Sequence, residues 1–454
     1  MIHINLNKTT DNMNRIFKSA LLAAAACTFS LSFTSCSDDN NDDHKDKVAE
    51  QNANIQKLAT AYLDNVVYPT YTDLADEAEN LYTKISALKA KLKNNETVAQ
   101  SEIDAICISY KEARRYWEES EAFLFGAASD FEIDPHIDTW PLDVETLAKD
   151  LNDETKIAAL DVAESNGEAR KYLTKENLGF HGIEFIFFRD GKNRPVAIFN
   201  NDETESFENY FNGMNVTGRE EIIFAAAVAC DLRDKCYQLE VSWKGNKANA
   251  NHVARVKECA KKFEDYKTTV EKNGLSYGEN FLASGTATGT LNSWKKAVET
   301  ILISGCSNIC AEVADQKMGQ AYRCATGKPG YHEDEETGEL VQDDPNYIES
   351  PYSYNSYTDF YGNIMSIKNS LYGNIGKNIY DSNSVMAYLA TYNPEMKEEL
   401  QDKLEDALEA LEDCQKSGRS FRQDPGAACV KEAMEEVTEL DSYLGEVSKW
   451  ILLN

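Results

Sequence analysis

The sequence predicts an all-α protein made of two helical bundles packed side by side. Three observations carry this. Apolar residues recur every three or four positions over long stretches, as on one face of a helix. No stretch of any length alternates apolar and polar residues in the manner of a half-buried strand. The chain, at 454 residues, is long enough for two bodies of similar size.

The N-terminus reads as an export signal. Arg15 and Lys18 form a basic region, Leu21 to Phe33 an apolar one, and Phe33-Thr34-Ser35-Cys36 a lipobox. Residues 1–36 are therefore expected to be a lipoprotein signal peptide, with Met13 the more usual start. Cys36 would become the lipidated end that holds the protein at a membrane. Residues 37–47 follow as an acidic tether. A run such as Ser37 to Asp43 directly after a lipidated cysteine resembles the surface-export signal of Bacteroidetes lipoproteins. The expected location is the cell envelope, at the outer membrane and on the cell surface. After the signal, no run reads as long and apolar enough to span a bilayer.

An N-terminal bundle is expected over residues 48–215. Val48 to Val67 and Tyr71 to Leu92 carry helical apolar spacing, with Pro69 breaking between them. Ser101 to Gly126 is a third helix, with Ile103, Ile106, Tyr110, Trp117 and Phe123 among its apolar positions. Ala127 to Asp143 reads as loop, then short helices run to Tyr172. The apolar run Phe180 to Phe188 comes next, and Arg189 to Pro195 is a turn signal with room for a short hairpin around Gly191. The irregular stretch towards Gly218 supplies the domain boundary.

The C-terminal bundle is expected over residues 216–454. Arg219 to Trp243, His252 to Lys272 and Leu291 to Ala321 read as long helices, and Gly327 to Pro351 as an exposed loop. Asn393-Pro394 opens a helix whose Met396, Leu400, Leu404, Leu408 and Leu411 share a face. Asp424-Pro425 opens the last, with Val430, Met434, Val437, Leu440, Leu444, Val447 and Ile451 on one stripe.

A formal charge of −31 argues against nucleic acid, whose phosphates demand a basic surface. The eleven cysteines do not read as a disulfide framework. Cys27 leaves with the signal, Cys36 takes lipid, and an odd number remains, several in apolar helical settings such as Cys107 and Cys230. Cys306 and Cys310 are four apart but read as core, because no partner motif lies nearby.

The chemistry concentrates in Gly179-Phe180-His181-Gly182-Ile183-Glu184. Residues three apart on a helix share a face, so His181 and Glu184 would point together into apolar surroundings. A buried carboxylate needs a partner or a cation, and an imidazole–carboxylate pair is half of a transition-metal site. The plain alternative is a hydrogen-bonded pair that only fixes helix packing. Three further segments stand out: Arg115 to Gly126, Ile137 to Asp143, and Glu349 to Phe360. Together with Gly-x-His-x-x-Glu, and in this order, they resemble the imelysin family, named for an insulin-cleaving membrane peptidase.

The resemblance implies two helical bundles with a cleft between them, the Gly-x-His-x-x-Glu motif at that cleft, an envelope location and a link to iron uptake. It implies a metal site at His181 and Glu184, with Glu121 and Asp143 as completing carboxylates. Gly179, Trp117, Trp140, Ser350 and Ser353 belong to its motifs. Such an N/O donor set suits iron ahead of zinc or calcium. This chain departs from the family pattern at Ala127, where a proline is usual, and at Pro351, where an arginine is usual. A peptidase reading lacks support in the residues, since neither His-Glu-x-x-His nor His-x-x-Glu-His is present. The competing expectation is a tethered scaffold that binds a peptide, haem or a protein, with His181–Glu184 as a structural pair.

Overall fold

In the computed structural model, residues 41–200, 213–214, 216–333 and 338–454 are described. The expected signal peptide, residues 1–36 with Cys36, lies outside them. The described chain is all-α. Its long helices are α1 (Asn41–Tyr62), α2 (Tyr68–Lys93), α3 (Gln100–Glu118), α5 (Gly218–Lys244), α6 (Trp294–Ala325), α7 (Ser356–Tyr372), α8 (Pro394–Lys416) and α9 (Ala428–Leu453). The shorter α4 (Gly179–Phe187) carries the His181 motif. Two small antiparallel hairpins are present, β1 (Phe188–Arg189) with β2 (Lys192–Asn193), and β3 (Tyr331–Glu333) with β4 (Leu340–Gln342). The first sits at the Gly191 turn.

Several boundaries differ from the sequence reading. Pro69 does not break the chain. A π-turn over Leu63–Val67 leads directly into α2, and Pro69 sits in the first turn of α2, where a missing N–H costs little. The expected helix from His252 stops early, at Ala260, and Tyr266 beyond it folds back into a small core with Tyr237 and Val256. The acidic stretch before Pro351 is not all exposed. It contains the second hairpin, and Glu349 and Ser350 at its end are fully buried. Helix α6 is, contrary to expectation, long and apolar enough by length and composition to cross a membrane. Its apolar side chains (Ile301, Leu302, Ile309, Val313) are core residues of this fold.

Packing follows from the apolar stripes. Helix α5 lies against α2 and α4, α3 against α2 and α7, and α8 against α7 and α9. The main hydrophobic core runs unbroken from Ile55 to Ile451. Helix α5 thus starts beyond the boundary read near residue 215 while its neighbours α2 and α4 precede it. Phe123 meets Tyr71 edge-on at 5.3 Å and Tyr62 at 6.3 Å, contacts worth about 0.5–1.5 kcal/mol each beyond area burial. That anchor fixes the short turn Glu121–Phe123 after α3.

Candidate functional site

Helix α4 is held at its start by a close approach. Gly179 has φ +66°, and a Cβ there would fall 2.0 Å from the Ile137 carbonyl oxygen. Only glycine combines that backbone with that contact. The approach sets His181 of α4 beside Asp138, with Nε2 3.1 Å from Oδ1, an ion pair when the imidazole is protonated. His181 Nδ1 lies 3.2 Å from Glu184 Oε2. The i,i+3 pairing read from sequence is present, and both residues are buried, at 1 % and 0 % exposure.

Glu184 is saturated. Its Oε1 accepts from the backbone N–H of Tyr352 (3.0 Å), the N–H of Ser353 (2.8 Å) and the Ser353 hydroxyl (2.7 Å). These donors come from a turn flanked by Ser350 (φ +50°) and Tyr354 (φ +58°), a conformation L-residues adopt only when their surroundings insist. Ser350 itself donates to Asp359.

The centre of the cluster lies elsewhere. Arg114 of α3, fully buried, ion-pairs with Asp138, reaches Glu118 and Glu349 at 2.6 Å each, and lies 3.7 Å from Asp359. Lys317 of α6, also buried, is 3.1 Å from Glu121, 3.2 Å from Glu349 and 3.9 Å from Glu118. It stands at the end of a π-helical stretch, Glu312–Lys317, a distortion that often marks a functional position. Asp138 Oδ2 accepts the indole N–H of Trp117 at 2.7 Å. Carboxylates (Glu118, Glu121, Asp138, Glu184, Glu349, Asp359) outnumber the cations Arg114, Lys317 and His181 in a region closed to solvent.

The electrostatics show the shortage of positive charge. Burial pushes the Glu118 and Glu121 carboxyls well above the usual range, against the pull of Arg114 and Lys317. Burial likewise takes Asp359 up to about 7, with Arg114 opposing and Glu349 adding. Asp138 goes the other way, because Arg114 and His181 outweigh the burial cost. Burial alone would depress His181, yet the carboxylates of Asp138 and Glu184 hold it up at about 9.

Two sets of donor atoms lie close enough to share a metal ion. Asp138, His181 and Glu349 form one and Glu118, Glu121 and Asp138 the other, each with its ligand atoms within 4.8 Å of one another. Glu349 Oε2 is buried without a hydrogen-bond partner.

The sequence-named residues divide accordingly. His181, Glu184 and Glu121 come together, with Trp117 and Ser353 supporting them. Asp143 does not join. It caps the short helix Val144–Leu151, accepting from the Thr146 N–H at 2.9 Å. Trp140 packs on Tyr347 with ring centroids 4.0 Å apart and is 6.5 Å from the His181 ring. Asp138, which lies in the Ile137–Asp143 segment but was not named as a ligand, is central. Arg114, Glu118, Lys317, Glu349 and Asp359 were not singled out as ligands. Charged residues at core-facing helix positions, such as Arg114 and Glu118 on the Tyr110–Trp117 face, were the available signal.

Comparison with known proteins agrees with this fold. The crystal structure described as an iron-regulated protein A precursor from Parabacteroides distasonis superposes with a TM-score of 0.64 at 20 % identity, covering 88 % of this chain and 95 % of that one. An imelysin-like protein from Psychrobacter arcticum gives a TM-score of 0.48 at 14 % identity, over 86 % and 93 % of the two chains. In sequence, the chain is 29 % identical over 127 residues to iron-regulated protein A of Synechococcus elongatus. That match spans 28 % of this chain and only 30 % of the relative's length. The imelysin family's sequence model matches residues 67–444. That span takes in α2 through α8, most of α9 and every residue of the buried cluster, and the chain belongs to the imelysin family.

Proposed function

We propose that this protein is a lipid-anchored envelope protein that binds a metal ion, iron first, at Asp138, His181 and Glu349. One observation carries the reading. Asp138, His181 and Glu349 each offer a ligand atom within 4.8 Å of the others, and Glu349 Oε2 is fully buried with no hydrogen-bond partner. An unpaired buried acceptor costs about 1–3 kcal/mol, a cost that a bound cation removes. The excess of the six buried carboxyl groups over the cations Arg114, Lys317 and His181 points the same way. An imidazole with two carboxylates is a hard N/O set that fits iron or manganese and not copper(I). The names of the relatives from Parabacteroides and Synechococcus supply the link to iron. In this reading Glu184 does not ligate, because its oxygens are already filled. It orients His181 through Nδ1, as partners of metal-bound histidines do. Cleavage of polypeptide is not part of the proposal, since His181 and Glu184 are closed to a substrate of that size.

The test is metal content of the form starting at Ser37, loaded anaerobically with ferrous iron. About one ion per chain is expected for the wild type, and none for His181→Ala or Glu349→Gln with circular dichroism unchanged. Full loading of both variants would refute the proposal. Labelling by palmitate that disappears in Cys36→Ser tests the anchor.

A further inference from the structure

We infer that Lys317 is a built-in cation occupying the place of a second metal ion, so that the cluster takes one ion rather than two. This deepens the metal reading above and rests on it. The ammonium is held at 3.1 Å by Glu121 and 3.2 Å by Glu349, with Glu118 at 3.9 Å, and Lys317 is 1 % exposed. Glu118, Glu121 and Asp138 are themselves a set of oxygens spaced for a cation. Asp138 belongs to both sets, and Glu349 ties the ammonium to the first one. Two carboxylates are therefore placed to face two cations at once. Glu349 gives Oε1 to the ammonium and keeps Oε2, fully buried and without a hydrogen-bond partner, for the first ion.

The surroundings are built for this approach. Gly305 of α6 lets the Glu121–Phe123 turn press against the helix, since a Cβ there would lie 2.1 Å from the Ala122 carbonyl oxygen. Gly362 of α7 does the same for Glu118, whose Cβ would stand 2.7 Å from a side chain at that position. The π-stretch ending at Lys317 completes the fit. An ammonium offers one charge and three donors. A divalent ion in its place would bring two charges and accept the same oxygens. Lysine thereby restricts the cluster to a single exchangeable ion at the His181 end.

The experiment dialyses the full soluble chain against Mn²⁺ and counts bound ions for wild type, Lys317→Met and Lys317→Arg. About one, two and one ions per chain are expected. The two ions of Lys317→Met should show the electron-spin exchange coupling of a carboxylate-bridged pair. Adding Glu121→Gln should return the count to about one. Lys317→Met that folds and gains no ion relative to wild type would overturn the inference. If that variant folds only with metal, the count after refolding in Mn²⁺ decides. Failure to refold there would also overturn it, because the second ion is required to replace the lost charge. A wild type without metal would refute the Asp138–His181–Glu349 reading. An ion gained by Lys317→Met over that baseline would still uphold this inference, so the two failures are distinguishable.

Discussion

Glu184 separates a ligand from a residue that holds a ligand in place. Replacing it with alanine orphans three donors of one turn: the N–H groups of Tyr352 and Ser353 and the Ser353 hydroxyl. Each buried unsatisfied donor costs about 1–3 kcal/mol, and the terms are not additive within one network. We therefore expect Glu184→Ala to lose about 3–5 kcal/mol. Glu184→Gln keeps an amide oxygen facing those donors and gives up only charge assistance, a loss of about 1–2 kcal/mol. The assay is equilibrium urea unfolding with chelator present, followed by Mn²⁺ counting on the folded variants. Glu184→Gln should keep metal binding while Glu349→Gln loses it. The reasoning fails if Glu184→Ala unfolds within 1 kcal/mol of wild type, or if folded Glu184→Gln no longer binds metal.

Gly179→Ala adds left-handed backbone strain of about 1–2 kcal/mol to a steric cost of about 1–3 kcal/mol. It should lower the urea midpoint and weaken metal binding together, because His181 and Asp138 are brought together at that contact; an unchanged midpoint would contradict this. A pH prediction comes from a second buried network, where Asp231 meets His136 and accepts from Arg170 Nε at 2.8 Å and Nη2 at 2.7 Å. Burial would raise the Asp231 carboxyl, but His136 and Arg170 outweigh it and depress it well below the ordinary range. A depressed carboxyl stabilises the fold above its unfolded pKa of about 4 and loses that contribution as pH falls towards its folded value. Wild-type stability should therefore drop below about pH 5, and Arg170→Met should flatten that drop; parallel curves of urea midpoint against pH would refute it.

The parts of the site that were legible in the sequence are local ones. His181 and Glu184 are three apart in an apolar run, so helix geometry alone pairs them. Glu121 was within reach because it opens the short turn that follows the helix of Trp117. Asp138 was not legible because its role depends on Gly179 pressing α4 onto the Ile137 carbonyl, a contact between segments that spacing does not encode. Lys317 and Glu349 come from far along the chain, and Glu349 falls in a stretch read as exposed loop. Pro69 misled for a different reason: a wider π-turn ahead of it absorbed the missing hydrogen bond. Helix identity survived all this because the apolar stripes of α8 and α9 are long and regular. Helix ends did not, as at Ala260, where a tertiary contact of Tyr266 decides the stop.

Arg114 grips Asp138 at a separation of 24 residues and Glu349 at 235. The cluster therefore has no existence in any fragment of the chain. A piece ending at the hairpin after α4 would retain His181, Glu184 and Asp138 but lack Lys317, Glu349 and the turn that cradles Glu184. A piece starting at α5 would have the reverse deficit. If the proposed site holds an ion, loading would report that synthesis and folding have both reached completion, and a truncated or half-folded chain would stay empty.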